Sequence, residues 1–137
     1  MLAAAAKIDS VKAVATIGSP SSPDHILHML EDKLDEISKS EETTVNLAGR
    51  DFTFKQCFVD DVRSYELDIE NIRKAVMVLH APFDQSVSIK EASKIFVSAK
   101  HPKNFISLDK SDHLLTREED ALYAASVVAS WAMRFTD

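Results

Sequence analysis

Glycine is scarce in this 137-residue chain, which contains only Gly18 and Gly49. Phosphate-cradling loops and dinucleotide fingerprints need several glycines close together, so the count excludes both. It excludes the Gly-x-Ser-x-Gly nucleophile elbow as well. Cys57 is the only cysteine, which leaves no internal disulfide and no thiolate zinc cluster. No apolar run approaches the roughly 20 residues that span a bilayer. The formal net charge is −6 and no Lys/Arg cluster occurs, which argues against a nucleic-acid or anionic-membrane partner. With no signal or lipidation motif, the expected location is the cytoplasm.

What is present suits one domain with a real core: 45 % of residues are apolar and 28 % charged. Residues 1–7 have strong helix propensity but no capping residue before them, like the second half of a helix. Three short apolar runs read as buried strands: residues 11–17, closed by Gly18-Ser19-Pro20; residues 75–80, closed by Ala81-Pro82; and residues 104–108. Ser88 and Glu91 suggest a capping box opening a helix over 88–100, with Ile89, Ala92, Phe96 and Ala99 on its apolar face. Thr116 and Glu119 suggest another, opening a final helix with Leu122, Ala125, Val128, Ala132 and Phe135 as its stripe. Strand, helix, strand, helix in this order predicts an α/β chain with a parallel sheet of about three strands.

Residues 21–73 interrupt that rhythm. Pro23 suits a helix start, and Ile26, Leu27, Leu30, Leu34 and Ile37 form one face. Residues 38–44 read as a solvated link. A small hairpin turning at Ala48-Gly49 follows, then a helix carrying Phe58, Val59, Val62 and Tyr65.

In open parallel sheets, ligands and catalytic groups gather beyond the carboxyl ends of the strands. Asp84 follows the second apolar run there and His113 follows the third, 29 residues later. Adjacent parallel strands lie about 4.8 Å apart, so their exit loops can bring a carboxylate to an imidazole. Such an Asp fixes the tautomer of the His and stabilises its protonated form during general-base work. The alternatives are a solvated loop histidine and an aspartate that helps to cap the 88–100 helix.

Residues 74–116 resemble the acid-strand, helix and histidine-loop segment of the α/β-hydrolase superfamily. Leu79-His80-Ala81-Pro82-Phe83-Asp84-Gln85-Ser86-Val87 resembles its acid turn, and Ser111-Asp112-His113-Leu114-Leu115 its histidine loop. With Ala13-Val14-Ala15-Thr16-Ile17-Gly18-Ser19-Pro20 and Ala99-Lys100-His101-Pro102-Lys103, the chain looks like the hydrolase domain often fused ahead of an OsmC-like domain. The resemblance implies a partial α/β-hydrolase domain over 1–137, with 21–73 as a cap. It implies Asp84 as triad acid, His113 as base, and a parent enzyme acting on a small acyl substrate (ester, thioester or amide). Phe58, Val62 and Tyr65 would line an acyl pocket. The triad order nucleophile, acid, histidine puts the serine upstream of Met1, so the chain alone is expected to be inactive.

Other residues read more plainly. Ser19 and Ser21 lack a nucleophile elbow, and Ser111 reads as a turn residue. His25 and His28 have a chelating spacing but no third ligand. Asp60, Asp61, Glu66, Asp68 and Glu70 read as a solvated acidic face. Cys57 reads as a small buried hydrophobe, His80 as structural, and His101 as a partner of the preceding helix end. No metal or cofactor is expected. Two competing functions remain: a non-catalytic module that forms a homodimer or joins a missing N-terminal half, and a serine-free hydrolysis through activated water.

Overall fold

The structure, a computed structural model, describes residues 1–47, 49–65 and 68–136. Ala48 of the hairpin turn and Glu66 of the acidic stretch lie outside the described residues. The chain forms two compact units, Met1–Ser21 with Leu67–Asp137, and Ser22–Glu66.

The first unit is built on a three-stranded parallel sheet. Its strands are β1 (Ala13–Ile17), β4 (Ala75–His80) and β5 (Lys103–Ser107), in the order β1-β4-β5. Helix α1 (Leu2–Lys7) precedes β1, α5 (Ile89–Ser98) joins β4 to β5, and α6 (Glu118–Ala132) ends the unit. Alternation along β4 feeds two cores. Val76 and Val78 pack with Leu2 and Ala5 of α1 and with Ala92 and Ile95 of α5. Met77 and Leu79 face the opposite side, with Ala124, Val127, Val128 and Trp131 of α6. A period of two presents successive side chains to opposite faces, so a strand covered on both faces must be apolar throughout. Every residue of β4 is buried.

The outer strands depart from the expected burial on both faces. Each has one strand neighbour among the described residues, so β1 alternates between half-buried and buried positions before an exposed Ile17, and β5 is only partly covered. Helix α6 also turns differently from the predicted stripe. Ala124, Val127, Val128 and Trp131 face the sheet, while Leu122 and Ala125 are exposed.

Both predicted capping boxes are corrected. The Ser88 hydroxyl accepts the Lys90 amide, 3.3 Å, but Glu91 does not return to Ser88. Its carboxylate instead takes the Ser21 amide (3.0 Å), the Ser21 hydroxyl (2.5 Å) and Lys94 Nζ (2.6 Å). At the second site Thr116 turns back to Asp112, and α6 starts at Glu118 with no side-chain cap. Nor does His101 serve the end of α5. Lys103 Nζ donates to the carbonyls of Phe96 (2.7 Å) and Val97 (3.2 Å), while His101 is exposed.

The second unit contains α2 (Asp24–Met29), a 3-10 turn (Glu31–Lys33), α3 (Leu34–Ser40), the hairpin β2 (Glu42–Leu47) and β3 (Arg50–Lys55), and α4 (Gln56–Ser64). The apolar spacing expected of one helix is met by two. The chain bends at Leu30, and the tight turn keeps both Leu30 and Ile37 buried. The solvated link over 38–44 shrinks to Glu41, in the left-handed region, because β-branched Thr43 and Thr44 pair across the hairpin with Phe54 and Thr53. Gly49 takes φ +79° at the turn. Cys57, expected to be buried, is exposed in the first turn of α4, whose inward positions are Val59 and Val62. No described helix is long and apolar enough to cross a membrane.

Candidate active site

The carboxyl end of the parallel sheet is tied together through β4. Its Leu79 carbonyl accepts the Gly18 amide at the exit of β1, 3.0 Å. Its His80 carbonyl accepts the Leu108 amide at the exit of β5, 2.9 Å. The loops leaving all three strands therefore start side by side, joined by backbone hydrogen bonds to β4.

Asp84 and His113 meet there. His113 Nδ1 lies 2.8 Å from Asp84 Oδ2. A carboxylate only accepts, so Nδ1 carries the proton and Nε2, across the ring, is left for proton transfer. The Asp84 side chain is 1 % exposed and that of His113 32 %. The other carboxylate oxygen, Oδ1, accepts the amides of Ser86 (2.8 Å) and Val87 (2.9 Å). Burial opposes a charge on Asp84, but the Val87 amide, the His113 bond and the Ser86 amide outweigh it. The result is a pKa below the ordinary 3.8. Asp84 thus organises the turn ahead of α5, and Ser88 is the residue that caps the helix.

The histidine loop is held by Asp112. Its Oδ1 accepts the amides of Leu114 (3.1 Å) and Thr116 (3.0 Å), and its Oδ2 accepts the Thr116 hydroxyl. Those bonds, the Thr116 hydroxyl first, hold the Asp112 carboxyl below its ordinary pKa against a smaller desolvation effect. They also offset a left-handed backbone at Leu115, φ +52°. Ser111, buried, closes the turn by donating its amide to the Leu108 carbonyl.

Gly18, which the sequence offers only as a strand stop, and His80, which it offers as a structural residue, border this pair. Gly18 has φ +57°, and a Cβ there would lie 3.1 Å from His113 Nδ1 and 3.5 Å from Asp84 Oδ2. His80, at the end of β4, is fully buried, with Nε2 2.8 Å from the Val87 carbonyl and 3.7 Å from Asp84 Oδ2. The signal for Gly18 was available, since a scarce glycine stands at a strand exit beside the loops of interest.

A cavity of about 250 Å³ opens at His113, lined by Phe83, Gln85, Ser86, Asp112, His113 and Leu114. Phe83 and Leu114 are each 77 % exposed and give it an apolar rim. A larger depression, about 540 Å³, lies in the second unit around Glu41, Lys55 and Cys57, and no imidazole lines it. The remaining residues singled out above have surroundings of their own. The Ser19 hydroxyl donates to the Pro20 carbonyl, and that of Ser21 is taken by Glu91. His25 is half-buried and His28 exposed on α2, and no described group of three or more His, Cys, Asp and Glu is arranged to hold a metal ion. Phe58 is exposed, Val62 buried and Tyr65 half-buried.

No family model and no curated protein sequence matches the chain. Solved structures do. An esterase domain from Rhodothermus marinus is 34 % identical, with a TM-score of 0.76 over 97 % of this chain and 55 % of its own. Alpha/beta hydrolase domain-containing protein 10 from mouse is 16 % identical, with a TM-score of 0.68 over 98 % of this chain and 57 % of its own. Est1E from Butyrivibrio proteoclasticus is 15 % identical, with a TM-score of 0.63 over 99 % of this chain and 56 % of its own. The chain spans a little over half the length of each.

Proposed function

We propose that this chain, which has a partial α/β-hydrolase fold, supplies the acid and base of a serine hydrolase for esters, thioesters or amides. The observation that carries the reading is the 2.8 Å contact between Asp84 and His113 beyond the ends of neighbouring parallel strands. The Rhodothermus marinus likeness supports it, because that protein is an esterase domain. The motifs quoted above support a parent of the kind fused ahead of OsmC-like domains.

Mechanistically, His113 Nε2 takes the proton of a serine hydroxyl as the serine attacks the acyl carbon. It then returns that proton to the leaving group. Asp84, ionised and anchored by two amides, keeps Nδ1 protonated and stabilises the imidazolium formed in between. The 137 residues contain no Gly-x-Ser-x-Gly, so the nucleophile belongs to polypeptide outside them. This chain alone performs no acyl transfer. The apolar rim of Phe83 and Leu114 favours an acyl group over a charged substrate.

A chimera tests the reading. This chain replaces the matching part of the Rhodothermus marinus esterase domain, and hydrolysis of a p-nitrophenyl ester is measured. Activity that falls roughly 10²–10⁴-fold in Asp84→Ala and His113→Ala is expected. A folded chimera whose activity ignores both substitutions overturns the reading.

A second reading, association without catalysis, rests on β1. It is an edge strand of the described sheet, and its last residue, Ile17, is exposed.

A further inference from the structure

His80 takes no direct part in the proposed chemistry, yet it is the only other imidazole among the described residues to approach the carboxylate of Asp84. Its side chain is wholly buried at the last position of the central strand. A carbonyl oxygen only accepts, so the 2.8 Å contact to Val87 assigns the hydrogen to His80 Nε2. His80 Nδ1 is buried with no hydrogen-bond partner. A hydrogen on Nδ1 would have no acceptor, whereas one on Nε2 has the Val87 carbonyl.

The main chain of Val87 is therefore gripped from both ends. Its N–H goes to Asp84 Oδ1 and its carbonyl to His80 Nε2. Because Oδ1 is fixed by Val87 and Ser86, Oδ2 is fixed too, and that oxygen meets His113. We propose that His80 is a positioning residue: by holding the Val87 carbonyl it locks the acid turn and so aims Asp84 at His113. This inference rests on the reading of Asp84 and His113 as an acid–base pair. Removing the N–H leaves a buried carbonyl unpaired at Val87, and the turn must shift to let water or another donor reach it. His80 Nε2 also lies 3.7 Å from Asp84 Oδ2, so the ring packs against the carboxylate whose turn it holds.

The test is the imidazole tautomers, read from long-range ¹H–¹⁵N spectra of the full chain beside thermal melts. His80→Phe fills the space without a donor, His80→Gln keeps a donor at nearly the same place, and Asp84→Asn is the control. The expected result is loss of the Nδ1–H form of His113 in His80→Phe, as in Asp84→Asn, and its retention in His80→Gln. A purely structural His80 would lower the melting temperature of His80→Phe and leave the His113 tautomer untouched. That result overturns the inference, as does His80→Gln behaving like His80→Phe. If His80→Phe does not fold, the unsubstituted chain decides. His80 protonated at Nε2 and bare at Nδ1 supports the proposal, and the reverse overturns it. Should Asp84→Asn leave His113 unchanged, the acid–base pair itself fails. Should Asp84→Asn act and His80→Phe not, only the role of His80 fails.

Discussion

Gly18 and His113 stand so close that the first carbon of any side chain at Gly18 would meet the imidazole at 3.1 Å. The glycine is fixed there by its amide bond to the Leu79 carbonyl and by a positive φ. Space for the histidine is thus provided at the exit of β1, a strand without any acid or base of the pair.

Gly18→Ala separates these two demands when compared with Gly49→Ala. Both positions have positive φ, which costs about 1–2 kcal/mol for a non-glycine residue. Nothing lies within 4 Å of a Cβ at Gly49, whereas one at Gly18 presses on His113 and Asp84. Chemical denaturation should show the larger loss for Gly18→Ala, and only that variant should disturb the His113 ring resonances. Equal losses with unchanged resonances would argue against the contact.

Glu91 makes a pH prediction. Desolvation opposes its charge, yet Lys94 and the Ser21 hydroxyl and amide lower its pKa from 4.5 to about 2. A depressed carboxyl stabilises the fold above the unfolded-state value and loses that contribution as pH falls through the folded one. Urea unfolding from pH 6 to pH 2 should therefore show stability falling below about 4.5, with Glu91→Gln flatter across that window. Parallel curves for the two proteins would count against the Ser21 tie.

Asp84→Asn removes a buried charge that receives two amides and an imidazole. Hydrogen bonds to charged groups contribute about 1.5–3 kcal/mol, and a loss in that range at pH 7 is expected from urea titration. The difference from the unsubstituted chain should shrink as pH falls below 3.8 through the depressed value of Asp84. A gap that persists into strong acid would mean that packing, not ionisation, is what the substitution removes.

Lys103→Met should destabilise the first unit by about 1 kcal/mol, because the ammonium caps the Phe96 and Val97 carbonyls and lies 4.8 Å from the Phe96 ring centre. His101→Ala should be silent in the same melt, since that side chain is exposed. The opposite ranking would restore His101 as the residue serving the helix end.

The edge position of β1 predicts association, and sedimentation at high concentration should detect species heavier than one chain. A clean monomer would weigh against the interaction reading.

The three parallel strands are legible in the sequence because short β-branched runs closed by Gly or Pro have few other uses. The meeting of Asp84 and His113 is legible because strand exits converge at one end of a parallel sheet. Other features depend on what lies far away in sequence. The Ser88-x-x-Glu91 pattern is local, but the carboxylate is claimed by Ser21, 70 residues distant. The stripe of α6 is misread because apolar residues occur nearly all round the helix, so periodicity alone does not choose a face. His80 reads as structural because nothing beside it in the sequence announces that Val87 would come back to meet its ring.

Leu79 and His80 receive amides from opposite neighbours while their side chains serve different surroundings, a core and a turn. Slippage of β4 by a single position would exchange its two faces and detach Gly18, the histidine loop and the Val87 carbonyl together. The sheet therefore acts as a vernier for the pair: its register sets the alignment of proton donor and acceptor, and a substitution anywhere along β4 that disturbs the register detunes both.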